Sequence, residues 1–117
     1  MFLDWKDVTA QDVQKVLLAT KQILSNHNVW IDSGFALNTS KIEVESSDST
    51  AFYFSLMGAI EKNSNQFYPK PLADFVDSAT REFLSDLSSY KVWKENMSYD
   101  DEIALLRLAL DEIKKYV

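Results

Sequence analysis

The chain has 117 residues, 46% of them apolar, 26% charged and 13% aromatic, with a net charge of −6 and no cysteine. This length and composition fit a single globular domain, residues 1–117, rather than a disordered chain or a two-domain protein. Disulfides, thiolate metal sites and thiol nucleophiles are excluded. The acidity is evenly spread, with seven acids and four bases in residues 1–60 and eleven and eight in residues 61–117, and shows no basic stripe along the chain. Direct nucleic-acid binding and anionic membrane surfaces are therefore disfavoured.

In chain order, the opening Met1–Asp7 has neither a basic stretch nor a long apolar segment. No export signal is expected there, and no run approaches the roughly 20 apolar residues that cross a bilayer. A cytoplasmic location follows as the expectation. Thr9 with Asp12 predicts a capped helix start. Behind it Val13, Val16, Leu17, Thr20, Ile23 and Leu24 recur at helical spacing, with an end near Ser25–Asn28. The period changes over 29–45, where Ile42 and Val44 alternate with Lys41, Glu43 and Glu45. With turn formers at Asn38, Thr39 and Ser40, this predicts a two-stranded hairpin lying against helices.

Residues 51–60 carry no charge and include the small pair Gly58 and Ala59. A run so apolar is expected to be buried on nearly all sides, and the capping residues Ser46–Thr50 before it predict a helix from Ser47 or Asp48 to Asn63. Gly58 would let another backbone come close. Pro71 suits the first turn of a further helix carrying Leu72, Phe75, Val76, Ala79, Phe83, Leu84 and Leu87. Residues 88–96 are expected to form a shorter linker or extra turn with a Trp. Ser98, with Asp101 and Glu102, caps a last helix through Ile103, Leu106, Ala109, Leu110, Ile113 and Val117, whose apolar face Leu105 and Leu108 widen. The predicted fold is α+β and predominantly helical: about four main helices around a buried central helix, with a small β-hairpin at 29–45.

Chemistry is sparse in this pattern. His27 is the only histidine, and no serine lies in a Gly-x-Ser-x-Gly elbow. A polar cap or surface position is the better account of His27. Asp100, Asp101 and Glu102 form the densest carboxylate cluster, at a place where acids stabilise a helix N-terminus. A calcium loop would need alternating ligands and a central glycine, both missing there. No catalytic residue, metal site or cofactor is nominated. Trp30, Tyr90 and Trp93 are candidate binding anchors, because tryptophan and tyrosine are enriched at interface hot spots. Tyr53 and Ser55 join them as residues beside a pocket between the hairpin and the central helix, and Asn96 through the motif described next.

Several residues together resemble a family of small bacterial and phage proteins grouped as a domain of unknown function. The family pattern has an aliphatic pair closing the first helix, a Trp, a Gly-Ala-rich strand, an aspartate, and an Ala-x-x-x-Cys-x-x-Gly-Ala-Leu helix. The counterparts here are Ile23 and Leu24, Trp30, Gly34 to Ala36, Asp48, and Ala51 to Ile60 with Gly58 and Ala59. A Trp/Phe-Asn-Asp motif before a capped last helix has its degenerate counterpart in Trp93 to Asn96 and Ser98 to Ile103. The similarity covers roughly residues 10–110. Ser55 stands at the family's cysteine position, and no Asp follows Asn96. The resemblance implies the order of elements and no activity.

The leading expectation is a non-enzymatic binding or interaction protein, an acidic accessory or mobile-element factor acting on a partner protein. In one form it is an acidic decoy for a basic, nucleic-acid-binding partner. The alternative is a small-ligand-binding domain or minor enzyme with a pocket between hairpin and central helix. A homodimer through the wide face of the last helix is a third reading.

Overall fold

In the computed structural model, residues 7–87 and 97–117 are described. Thr9 opens the first helix with a reciprocal cap. Its Oγ1 accepts from the Asp12 N–H at 3.3 Å, and Asp12 Oδ2 accepts from the Thr9 N–H at 3.0 Å. Helix α1, Ala10–Leu24, buries Ala10, Val13, Val16, Leu17, Thr20 and Leu24. That is the face its spacing predicts. A short 3-10 turn, His27–Val29, follows and is capped by Asn26.

Three strands come next: β1, Ala36–Asn38, β2, Glu43–Val44, and β3, Ala51–Phe54. They form an antiparallel sheet in the order β2-β1-β3. Ala36 lies opposite Val44 on one side and opposite Phe54 on the other, and the register shifts between Leu37 and Asn38. The hairpin expected within 29–45 is thus present as β1 and β2, and β3 extends it.

Helix α2 spans Leu56–Phe67, α3 Leu72–Leu87 and α4 Tyr99–Ile113. Helix α1 packs against all three, and α2 against α3. The core is made by Val13, Val16 and Leu17 of α1, Ala59 and Ile60 of α2, Val76 and Leu84 of α3, and Leu106 and Ile113 of α4, all fully buried. The architecture is α+β and predominantly helical, with four main helices among the described residues.

The run at 51–60 differs from its expected form. It is a strand and a helix joined at Ser55, rather than one helix beginning near Ser47 or Asp48. Phe52, Tyr53 and Phe54 favour extended backbone, and β1 supplies their ladder partners. Asp48 does not cap a helix; its Oδ1 accepts from the Thr50 N–H at 2.7 Å and from the Thr50 hydroxyl at 2.6 Å, closing a turn. The run is not buried throughout either, since Phe52 is 47% exposed and Met57 36%. A strand in a sheet open on one face buries only alternate residues.

Ser55 and Gly58 join the sheet to α2. The Ser55 hydroxyl accepts from the Gly58 N–H at 3.0 Å and donates to the Gly34 carbonyl at 2.7 Å. The Ser55 N–H donates to the Phe35 carbonyl at 3.1 Å. A close backbone approach at Gly58 is therefore present, and the approaching backbone is Phe35 of the loop before β1, not another helix.

Candidate functional site

The residues singled out in the sequence separate in space. Trp30 follows the 3-10 turn, and its backbone bridges to Phe54 beside β3. Its indole N–H donates to Glu102 Oε2 at 2.6 Å. Tyr53 is half-buried on β3, edge-on to Phe52, with the Lys41 ammonium 5.7 Å from its ring centre. Ser55 is committed to the cap of α2 and to Gly34. The three side chains have separate partners. Tyr90, Trp93 and Asn96 lie outside the described residues.

Trp30 belongs to a corner where the end of α1, the turn and the start of α4 meet. His27 stacks on Tyr99 with ring centres 4.0 Å apart and planes 9° from parallel. Trp30 meets the edge of Tyr99 at 5.6 Å. The Tyr99 hydroxyl donates to the Leu24 carbonyl at the end of α1. Glu102 beneath them is only 8% exposed. Burial pushes its carboxyl up to about 7; the Trp30 hydrogen bond opposes that shift and the Asp32 charge adds to it. His27 is exposed and makes a ring contact rather than pairing with a serine and an acid. The corner ties α4 to α1, with one carboxyl poised near neutrality.

Sequence reasoning placed Glu102 in a capping cluster and missed its burial. The signal lay in the helical period, because Glu102 shares a face with Leu105, Leu106, Ala109 and Ile113. Asp100 and Asp101 are exposed in the first turn, as a capping role requires.

A cavity of about 460 Å³ lies between the hairpin and α2, lined by Phe35, Glu43, Val44, Glu45, Ser46 and Glu61. None of Trp30, Tyr53 or Ser55 borders it. Ser46 and Glu61 in its polar wall have partners. The Ser46 hydroxyl donates to Glu61 Oε1 at 2.6 Å, and Arg81 donates from Nε to Asp77 Oδ1 at 2.8 Å while lying 3.9 Å from Glu61. Burial raises the Asp77 carboxyl above its ordinary range, despite Arg81 beside it. Among the described residues, no group of three or more His, Cys, Asp or Glu is placed to hold a metal ion.

The other feature is a groove of about 690 Å³ between α1 and α4. The Tyr99–Leu24 hydrogen bond puts the start of α4 at the end of α1, so the two helices run antiparallel. Leu18 from α1 and Leu110 from α4 lie in the groove, framed by Lys15, Lys21, Arg107 and Lys114. Leu18 is 50% exposed. Lys15 rests over the Phe67 ring at 4.5 Å, and Lys114 lies 3.7 Å from Asp111. Among the described residues, Lys21 and Arg107 make no ion pair or side-chain hydrogen bond. The linear charge pattern shows no basic stripe. Packing of two distant helices gathers four cations around one groove, with Asp111 among them.

Among the described residues no helix is long and apolar enough to cross a membrane. Comparison with protein-family models, curated proteins and solved structures finds no match.

Proposed function

We propose that this chain is a non-enzymatic binding protein that acts by docking on a partner protein through the α1–α4 groove. The observation that carries this reading is an exposed leucine in a concave helix pair, ringed by four cations on a chain of net charge −6. Two apolar side chains on neighbouring helices form the kind of groove that accepts a segment of another protein. An accessory role in the cytoplasm of a bacterium, or for one of its phages, would fit the resemblance of its short motifs to those of small proteins of that kind. The acidity outside the groove keeps the chain soluble and off nucleic acids.

The test is affinity purification from the native host with the parent chain and with Leu18→Glu, followed by native mass spectrometry. A partner protein at defined stoichiometry, lost with Leu18→Glu, supports the reading. A partner retained by the variant overturns the placement at the groove.

The second reading is a small-ligand binder at the cavity between the hairpin and α2. Its support is the polar wall of Ser46 and Glu61 beside Phe35. A retained small molecule in the native spectrum, lost with Glu61→Gln, would establish that reading and displace the first.

A further inference from the structure

The groove has a charge pattern finer than its overall sign. On α1, Leu18 has a lysine one turn before it, Lys15, and one turn after it, Lys21. On α4, Leu110 has Arg107 one turn before it and Lys114, the C-cap of the helix, one turn after. Residues three or four apart share a helix face. Each apolar side chain in the groove is therefore bracketed by cations along its own helix axis, and the same groove receives all four. Asp111 is the carboxylate among them, and its contact with Lys114 joins two well-exposed side chains at 3.7 Å. Such surface pairs exchange partners at little cost.

The shape admits one kind of occupant well. Two antiparallel helices side by side leave a furrow into which a third helix settles, with axes about 8–10 Å apart. The stretch from Gln11 to Lys21 lines the furrow. At about 1.5 Å per residue, that length matches about three turns of a partner helix. An apolar ridge on that helix would meet Leu18 and Leu110. Side chains one turn before and after the ridge would meet the cations, so they must be acidic.

We infer that the groove takes an amphipathic helix of a partner protein whose apolar ridge is flanked by Asp or Glu. This rests on the reading of the groove as the interaction site and names the chemistry of what enters it. A second copy of this chain is a poor occupant, because a two-fold interface sets the same patch against itself. Four cations would then meet four cations across the interface.

The test uses the full chain and synthetic labelled 14-residue helices followed by fluorescence anisotropy. One probe carries a leucine ridge flanked by Glu; its counterparts carry Lys or Gln at the same positions. The Glu probe is expected to bind, the Gln probe to bind at least about tenfold more weakly, and the Lys probe not at all. Lys21→Glu and Arg107→Glu, both on the helix surface, are each expected to weaken the Glu probe at least about tenfold while leaving the far-UV circular dichroism unchanged. Raising the salt from 0.05 to 0.5 M should weaken it further, because exposed charges are screened.

Equal binding of the Glu and Lys probes would overturn the inference, as would charge reversals without effect. A partner captured by a photocrosslinker at position 18 while the Glu probe fails to bind would leave the groove as the interface and overturn the acidic helix. Binding to phosphatidylserine vesicles, lost with Arg107→Glu and unaccompanied by peptide binding, would overturn both in favour of a lipid surface. Concentration-dependent dimerisation abolished by Leu18→Glu would assign the groove to a second copy instead.

Discussion

Replacing Gly58 by alanine would set a Cβ 1.8 Å from the Phe35 carbonyl oxygen, 2.6 Å from its carbonyl carbon and 3.0 Å from its Cα. All three atoms are backbone, so no side-chain rotation relieves the clash and the loop before β1 must move. Overpacking costs about 1–3 kcal/mol, and a fixed backbone neighbour places this site in the upper half of that range. Displacing the Phe35 carbonyl also weakens its bond from the Ser55 N–H, about 1 kcal/mol more. Alanine returns up to about 1 kcal/mol of helix propensity in α2. The expected net loss is about 2–3 kcal/mol. With roughly 2.1 cal/mol/K of unfolding entropy per residue, a 117-residue chain loses about 4 °C of Tm per kcal/mol. A fall of about 8–12 °C should appear in thermal melts followed by circular dichroism. Urea titration should show a lower midpoint at unchanged slope. Gly34→Ala is the internal comparison. Its φ is +74° and nothing lies within 4 Å of the added carbon, so only the left-handed backbone is strained, at about 1 kcal/mol. Gly58→Ala melting with the parent, or costing less than Gly34→Ala, would refute the close approach at Phe35.

Glu102 gives the fold a dependence on pH. Its carboxyl is raised to about 7 in the native state from an ordinary 4.5, so the native chain holds a proton that the unfolded chain releases. Stability should therefore fall as pH rises from about 4.5 to 7 and level off above that, a loss on the order of 2 kcal/mol once solvent screening is allowed for. Glu102→Gln keeps an acceptor for the Trp30 N–H and should flatten this slope; urea midpoints measured from pH 5 to 8 that still fall in the variant would assign the effect elsewhere. Ser55→Ala removes the cap of α2 and the bond to Gly34 together, and a loss of about 1–2 kcal/mol is expected in the same titration. Tyr68→Phe deletes a 2.8 Å hydrogen bond from the phenol to Asp12 Oδ1, for about 1 kcal/mol. Because burial, with help from Asp12, raises the Tyr68 phenol above its ordinary range, an absorbance titration should show its ionisation later than that of an exposed tyrosine.

The helices were legible where the information is local. Thr9 and Ser98 cap as their types predict, and the spacing of Val13, Val16, Leu17, Leu105 and Leu106 selects the buried faces. The segment from Ala51 to Ile60 reads as one helix but is a strand and a helix, for a physical reason. A short apolar run does not distinguish strand from helix by period, and the strand half depends on β1 lying alongside. Gly58 was recognisable as a point of close approach, whereas the identity of its neighbour, Phe35, follows only from how the loop packs. Of the binding candidates, Trp30 reaches the Glu102 corner, while Ser55 is occupied by the cap of α2 and the Gly34 carbonyl.

Composition, helical period and capping chemistry determine this protein's class: an acidic, cysteine-free, predominantly helical chain with amphipathic helices at α1, α3 and α4 and a small hairpin. These are properties of neighbouring residues, so they survive in one dimension. Tertiary structure alone decided the charge of its surface features. Lys15 and Lys21 sit in an acid-rich first half, and Arg107 and Lys114 in an acid-rich second half, and neither pair stands out along the chain. Antiparallel packing of α1 on α4 brings them around one furrow. A charge field depends on separation in space, and folding sets that separation independently of distance along the chain.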